Sequence, residues 1–222
     1  MHQLLSLPGR ATHPSGPGQD RRPIPARNSP WAGAVARRLA SAGITPNQIS
    51  LASIVAAAFA AGGLCLLPQP WSALVCIAGV QLRLLCNLLD GMVAVEHGRG
   101  SRLGPLYNDV PDRVSDALVL VALGYAAGAG WLGWLAALAA TGTAYLRLFG
   151  GALGFKQDFR GPMAKPHRMA ALTAGCAAAM AEHFISGTHH ALLATVAAIA
   201  AGSLLTCATR LQALTLNLRK GS

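Results

Sequence analysis

Acidic and amide side chains recur at helical spacing within one stretch of the chain. Five of its eight acidic residues lie between Asp90 and Asp116. On one predicted helix, Asn87 and Asp90 lie on neighbouring positions of the same face. On the next, Asn108, Asp112 and Asp116 repeat at intervals of four residues. Two helices that present such oxygens to each other predict a pocket for a hard divalent cation such as Mg²⁺ or Mn²⁺.

The composition places these charges in a membrane protein. Of the 222 residues, 53% are hydrophobic and only 12% are charged, which is atypical of a water-soluble domain. The 18 Lys and Arg residues outnumber the acids and give a net charge of +10, which suits an anionic membrane surface. Aromatic residues make up 5%, and no basic patch is interleaved with stacking rings, so nucleic-acid binding is not expected.

Six apolar stretches predict an all-α fold with six transmembrane helices. They lie at residues 49–67, 71–95, 114–128, 131–149, 169–185 and 191–209, and most approach the roughly 20 residues that cross a bilayer. Residues 32–42 predict an amphipathic helix along the membrane surface ahead of the first span. The predicted membrane domain is 32–210, between a disordered basic tail at 1–31 and a cytoplasmic tail at 211–222.

The cationic residues predict the orientation in the membrane. Lys and Arg collect in alternate connections and at both ends, and Arg83 alone lies in the middle of a predicted span. Because cations gather on the cytoplasmic side, we expect a multi-pass protein with both termini in the cytoplasm, in the plasma membrane of a bacterium. An unpaired guanidinium at membrane depth is costly, so Arg83 is expected to pair with Asp90 or with a phosphate.

The spacing of the acids resembles the motif of the CDP-alcohol phosphotransferase family. That motif reads D-x-x-D-G-x-x-A-R and, after eight residues, G-x-x-x-D-x-x-x-D. The chain has N-L-L-D-G-M-V-A-V from Asn87 and G-P-L-Y-N-D-V-P-D from Gly104, with the same separation. Asn87 and Asn108 stand in place of two aspartates, and Val95 stands in place of the arginine. The resemblance covers residues 32–209 and implies a six-span membrane transferase.

The resemblance also implies roles for the acids. In the family they hold one or two divalent cations, Mg²⁺ or Mn²⁺, against the pyrophosphate of the donor, and the last acid is the base for the acceptor hydroxyl. By this analogy Asp112 is the catalytic base and Asp90 the principal metal ligand. The full implied ligand set is Asp90, Asp112, Asn87 and Asn108. Each Asn removes one negative charge, so one cation or a weakly held pair is expected. Three nearby acids are candidates to restore charge: Asp109, Asp116 and Glu96.

A second match precedes the first span. Ile44 to Ser50 resembles the P-N-x-x-[TS] element of the family, and Thr45, Pro46 and Gln48 have the pattern of a capping box with proline at the first helical position. A helix cap alone explains the pattern, but free amides at a helix start also favour phosphate. The resemblance implies a nucleotide site formed by Asn47, Gly91, Ala94 and Gly104.

A third match is a group of cations after the fourth span. In the family such cations bind an acceptor phosphate or a lipid headgroup, although the cytoplasmic preference of Lys and Arg explains them without any ligand. The residues carried over to this chain are Arg147, Lys165 and Arg168.

The implied reaction is displacement of CMP from a CDP-alcohol by an acceptor hydroxyl to form a phosphodiester phospholipid. CDP-diacylglycerol is the expected donor, and the acceptor is a lipid or a phosphorylated alcohol; a soluble donor with a lipid acceptor is the reverse assignment. One rival is a catalytically silent relative that binds nucleotide or lipid. Another is a small ion transporter, whose halves should resemble each other, and no such repeat is seen. Gly124 and Gly128 form a step of the kind that packs helices in homodimers, although it recurs by chance in such sequences.

Overall fold

The computed structural model describes residues 29–96, 98, 103–188 and 190–220. This part of the chain is all-α and contains seven helices, which confirms the predicted fold class. Their bounds are α1 Pro30–Ser41, α2 Pro46–Leu66, α3 Trp71–Glu96, α4 Gly104–Ala126, α5 Gly130–Ala152, α6 Lys165–Ile185 and α7 His190–Lys220. Of the predicted tail at 1–31, residues 1–28 lie outside the described residues, and Pro30 and Trp31 already belong to α1.

Among the described residues, four helices are long and apolar enough to cross a membrane, which indicates a membrane protein. They are Pro46–Leu66, Trp71–Val95, Gly130–Ala152 and His190–Lys220. The helices α4 and α6 are of similar length but carry several charged residues, so their crossing of the membrane stays a prediction. The last helix continues through residues 211–220, where the sequence analysis placed a tail, because no proline or glycine interrupts it there.

The helix starts are set by local sequence. The predicted capping box at α2 is confirmed: Thr45 Oγ1 accepts from the Gln48 amide at 3.3 Å, and Gln48 Oε1 accepts from the Thr45 amide at 2.9 Å. Proline lies in the first turn of α2, α4 and α6, where its missing N–H costs no helical hydrogen bond. These three starts lie at the same end of the bundle as the last turns of α3 and α5, since Ser50 of α2 contacts Asp90 of α3. At that end Arg147 of α5 contacts Asp109 of α4, and Lys165 of α6 contacts Asp112 of α4.

Small residues let the helices approach one another closely. A Cβ atom on Gly79 of α3 would lie 2.7 Å from the Cβ of Ala60 in α2. A Cβ on Gly124 of α4 would lie 2.5 Å from the Cα of Gly133 in α5. Such backbone contact replaces the hydrophobic driving force that lipid does not provide. Gly124 is therefore used within the chain, and Gly128 lies beyond the end of α4 with φ 70°, so the two do not form one face for a homodimer.

The first helix, α1, is amphipathic. Ala32, Ala36 and Ala40 are buried and belong to the same apolar cluster as Leu88 and Met92 of α3. On the other side, Arg37 and Arg38 are exposed. The helix therefore lies against the end of α3 that carries Asp90.

Candidate functional site

The Asp90 carboxylate lies near the end of α3 and is buried. Ser50, in the first turns of α2, donates to Asp90 Oδ2 at 2.6 Å and also to the Pro46 carbonyl at 3.1 Å. The capping box fixes where α2 begins, and thereby places Ser50 opposite Asp90. The sequence analysis did not assign Ser50 a role, although it is the last residue of the P-N-x-x-[TS] element.

The Asp112 carboxylate lies on α4 and is surrounded by cations. Lys165, the first residue of α6, donates from Nζ to Asp112 Oδ1. Arg83 Nη2 lies 3.7 Å from the same oxygen, and Arg113 Nη2 lies 3.8 Å from Oδ2. Ser115, three residues after Asp112 on α4, donates to the carbonyl of Ser53, three residues after Ser50 on α2, at 3.4 Å. The start of α4 therefore lies against the part of α2 that holds Asp90, and the two predicted acids border one site.

The two asparagines of the implied ligand set lie in different surroundings. Asn87 is half-buried one turn before Asp90, and its amide nitrogen is buried without a hydrogen-bond partner among the described residues. This nitrogen is a hydrogen-bond donor, so its partner would be an acceptor such as water or a phosphate oxygen, whereas a cation would be held by the Asn87 Oδ1 atom. Asn108 is exposed. Within the described part of the chain, no three His, Cys, Asp or Glu side chains form a ready metal site. Two carboxylates and one amide fit one divalent cation better than two.

The predicted nucleotide residues lie around the same end of the helices. Asn47 is in the first turn of α2, Gly104 begins α4, and Gly91 and Ala94 follow Asp90 on α3; all four are half-buried. Val95, which replaces the arginine of the family motif, is exposed. The Glu96 side chain lies outside the described part, so its candidacy as an additional acid stays a prediction.

The remaining acids of α4 are paired with cations from other helices. Asp109 accepts from Arg147 of α5 at 2.7 Å, and the Arg113 guanidinium lies 3.5 Å from the same oxygen. Arg147 also donates to Gln157 at 3.3 Å and lies over the ring of Phe159. Asp109 is therefore occupied by guanidinium groups at the edge of the site.

Asp116 is the centre of a buried ionic triad. Arg83 of α3 donates to Asp116 Oδ1 at 2.7 Å, and Arg168 of α6 donates to Oδ2 at 2.8 Å. All three side chains are almost completely buried. The expectation that Arg83 pairs with Asp90 is therefore wrong. Arg83 lies two turns before Asp90, and its guanidinium is engaged by α4 instead, through Asp116 Oδ1 at 2.7 Å and the Asp112 carbonyl at 3.2 Å.

The predicted acceptor-phosphate cations are all paired with acids of α4. Arg147 pairs with Asp109, Lys165 with Asp112, and Arg168 with Asp116. Arg147 and Lys165 are partly exposed, whereas Arg168 is buried and also donates to the Met163 carbonyl at 2.8 Å. Arg147 and Lys165 are thus the more accessible of the three.

Arg210 of α7 is a buried cation that the sequence analysis left without a role. It donates to the carbonyl of Arg160 at 2.8 Å and to the carbonyl of Thr143. It therefore fastens the connection between α5 and α6 to α7. In that connection, hydrogen bonds from Arg160 hold the pKa of Asp158 below its usual range.

The site carries more positive than negative charge. Its four carboxylates are Asp90, Asp109, Asp112 and Asp116, and five cations pair with the last three of them: Arg83, Arg113, Arg147, Lys165 and Arg168. A partly buried excess of cations attracts anionic groups such as phosphates. The arrangement is therefore suited to an anionic substrate.

Part of the chain is similar in sequence to a protein of known function. Over 92 residues it is 36% identical to the phosphatidylinositol phosphate synthase of Mycolicibacterium smegmatis. This match covers 40% of the chain and 39% of that protein, well under two thirds of its length. No protein-family model matches the chain.

The fold is similar to solved structures of the phosphatidylinositol phosphate synthase of Mycobacterium tuberculosis. The form with CDP-DAG bound has a TM-score of 0.68 and 23% identity, covering 84% of this chain and 94% of that one. The complex with manganese and citrate has a TM-score of 0.67 and 23% identity, covering 82% and 88%. At this level of identity the comparison establishes a shared fold.

Proposed function

We propose that the chain is a membrane-embedded CDP-alcohol phosphotransferase. It displaces CMP from CDP-diacylglycerol with the hydroxyl group of a phosphorylated alcohol and forms a phosphodiester phospholipid. The observation that carries this proposal is that Asp90 and Asp112 are both buried where the starts of α2 and α4 meet, in a site whose cations outnumber its acids. Transfer at phosphorus depends on such positioning and charge neutralisation.

The solved structures support the choice of donor and metal. The synthase that shares this fold has been seen with CDP-DAG and with manganese. The motif spacing from Asn87 to Asp112 points to the same donor class. Asp90, Asp112 and the Asn87 amide are proposed to hold one Mg²⁺ or Mn²⁺, with Asn108 as an outer ligand. When bound, this cation would neutralise the pyrophosphate and the departing CMP.

Asp112 is proposed to take the proton from the acceptor hydroxyl. A carboxylate performs this step when it is ionised and lies within hydrogen-bond reach of the hydroxyl. Arg83 Nη2 lies 3.7 Å from Asp112 Oδ1, and Arg113 Nη2 lies 3.8 Å from Oδ2, so this carboxylate is next to the cations proposed to neutralise the substrates. Asp90, held by Ser50, is proposed to stay fixed while the substrates bind.

The remaining predicted residues are proposed to orient the substrates. Arg147 and Lys165 bind the acceptor phosphate directly, because both are partly exposed. Arg168 is buried, so it contributes its positive charge to the site without contacting the phosphate. Around the donor, the small residues Gly91 and Ala94 allow the nucleotide to approach the backbone of α3. Asn47 and Gly104 border the nucleotide from the starts of α2 and α4.

The proposed topology has six crossings with the site at the cytoplasmic face. The helices α4 and α6 complete the crossings, since their charges are paired inside the bundle rather than exposed to lipid. Both termini then face the cytoplasm, and the membrane is the plasma membrane of a bacterium. A reporter fused near Gly187 should be found outside the cytoplasm, and a cytoplasmic reporter would contradict this topology.

The test is release of CMP by the purified chain. CDP-diacylglycerol, Mg²⁺ or Mn²⁺ and a panel of phosphorylated and free alcohols are supplied, and the lipid product is identified by mass spectrometry. Asp112→Asn should lower kcat by about 10²-fold or more, because it removes the base. Asp158→Asn, at a half-buried acid of the α5–α6 connection that pairs with Arg160, is the matched control and should leave kcat unchanged. Absence of CMP release from every CDP-alcohol would contradict the proposal.

A second candidate function is that of a catalytically silent relative. It is favoured by the neutral amides at Asn87 and Asn108 and by the contact of Lys165 with Asp112. Such a protein would bind CDP-diacylglycerol but release no CMP. Binding measured with the same lipid therefore separates the two candidates.

A further inference from the structure

The two central acids of the site have different partners. Asp112 has three cationic nitrogens within 4 Å, those of Lys165, Arg83 and Arg113. Asp90 accepts from the neutral Ser50 hydroxyl, and among the described residues it forms no ion pair. The cationic groups near these two acids are therefore in contact with Asp112 rather than with Asp90.

These cations differ in how firmly they are held. Arg83 also donates to the Asp112 carbonyl, to the Asp116 carboxylate and to the Met169 sulfur, so three further partners hold its guanidinium in place. Lys165 makes one side-chain hydrogen bond in the described structure, to Asp112, and its side chain is 24% exposed. A lysine ammonium on a flexible four-carbon stem moves more readily than a guanidinium held by several carboxylates. Lys165 is thus the cation that can leave Asp112.

Charge balance opposes the presence of Lys165 and a divalent cation together. Asp112 already has three cationic nitrogens within 4 Å, and the neutral amides of Asn87 and Asn108 add no negative charge. A divalent cation at Asp112 would add two positive charges, and an ammonium group within a few ångströms of it is repelled in a partly buried site. The cation and the ammonium therefore compete for Asp112.

We propose that Lys165 serves as a resident monovalent cation at Asp112, and that a divalent cation binds by displacing the Lys165 ammonium from this carboxylate. This inference rests on the proposed function, because it concerns the metal of that same site. The displaced ammonium remains attached to the first residue of α6, where its side chain is partly exposed, and so becomes available to a phosphate group. Binding of the metal and binding of an acceptor phosphate are then coupled through one side chain.

The test is Mn²⁺ binding to the full purified chain without donor or acceptor, measured by the loss of the free Mn²⁺ electron paramagnetic resonance signal. Lys165→Gln should bind Mn²⁺ about tenfold more tightly than the unaltered chain, because the competing charge is gone. Lys156→Gln is the matched control. It removes the same charge from an exposed lysine of the α5–α6 connection and should leave the affinity unchanged.

Three results would overturn the inference. The first is that Lys165→Gln binds Mn²⁺ no more tightly than the unaltered chain. The second is that both glutamine variants tighten binding equally, because the effect then comes from net charge alone. The third is that neither the unaltered chain nor Lys165→Gln binds Mn²⁺. Thermal unfolding of each variant shows whether it is folded. If Lys165→Gln does not fold, Lys165→Arg replaces it. Arginine pairs with carboxylates in two-pronged geometry, so it should weaken Mn²⁺ binding several-fold, and unchanged or tighter binding would contradict the inference.

These measurements separate this inference from the proposed function. A chain in which Lys165→Gln tightens Mn²⁺ binding but which releases no CMP supports the competition and contradicts the transferase. A chain that releases CMP but shows no effect of Lys165→Gln on Mn²⁺ binding supports the transferase and contradicts the competition.

Discussion

Residues 104–116 of α4 and residues 117–126 of the same helix contact their neighbours by different means. In the first segment, Asp109, Asp112 and Asp116 each pair with a cation from another helix. In the second, Leu120 and Leu123 are buried in the apolar core, and Gly124 touches the backbone of α5. Ion pairs therefore hold the first segment against its neighbours, and close apolar packing holds the second.

The two halves respond to different kinds of substitution. A buried charge that loses its partner remains unpaired in a medium of low dielectric, so the polar half depends on the identity of each partner. An apolar contact between backbones depends on volume, so the other half depends on the absence of a methyl group. The candidate site lies in the polar half, where the position of each side chain is determined by a specific ion pair.

The largest effect is expected for Asp116→Asn. The substitution leaves Arg83 and Arg168 as buried cations without a carboxylate, and it should lower the free energy of unfolding by about 3–5 kcal/mol. Chemical denaturation in detergent micelles measures this change. Asp109→Asn, in the same helix but partly exposed, is the control and should cost about 1 kcal/mol or less. Equal losses for the two variants would show that the triad is not the stronger constraint.

A smaller loss is expected for Gly124→Ala in the apolar half. The added Cβ would lie 2.5 Å from the Gly133 backbone, which cannot move independently of α5. Overpacking of this kind costs about 1–3 kcal/mol in the same unfolding experiment. Gly62→Ala is the control, since nothing lies within 4 Å of its Cβ position. If both variants were equally stable, close packing of α4 on α5 would not limit stability.

Ser50→Ala should weaken metal binding at Asp90. The hydroxyl group is the neutral donor that orients this carboxylate, and loss of such a supporting hydrogen bond lowers metal affinity by about tenfold. Mn²⁺ titration measures the change. Ser53→Ala removes a hydroxyl that donates to the Ser50 carbonyl instead, and it should leave the affinity unchanged. An unaltered affinity in Ser50→Ala would mean that Asp90 needs no orienting partner.

The smallest effect is expected for Asp158→Asn in the α5–α6 connection. Arg160 lowers the pKa of Asp158, so the pair stabilises the folded chain above the ordinary aspartate pKa of about 3.9, and this contribution is lost as the pH falls through the lowered value. The unaltered chain should unfold at a slightly higher Tm than Asp158→Asn at neutral pH. The two Tm values should converge in strong acid, and a constant difference would contradict the ion-pair explanation.

The sequence predicted the existence of the helices better than their ends. Hydropathy placed the third span at residues 114–128, yet α4 begins at Gly104, and α6 begins at Lys165 rather than at 169. Apolar composition marks where a helix contacts lipid or core, whereas the helix itself depends on backbone hydrogen bonds. Charged side chains extend a helix when neighbouring helices neutralise them, which hydropathy does not record.

The capping box at Thr45 and the shared helical face of Asn87 and Asp90 were determined by the sequence alone, because both depend on spacings of three or four residues along one helix. The partners of the charges were decided by the tertiary structure. Arg83 and Asp116 are 33 residues apart, and Lys165 and Asp112 are 53 apart. Helical periodicity places each charge on a face, but which face meets which depends on the packing of all the helices together.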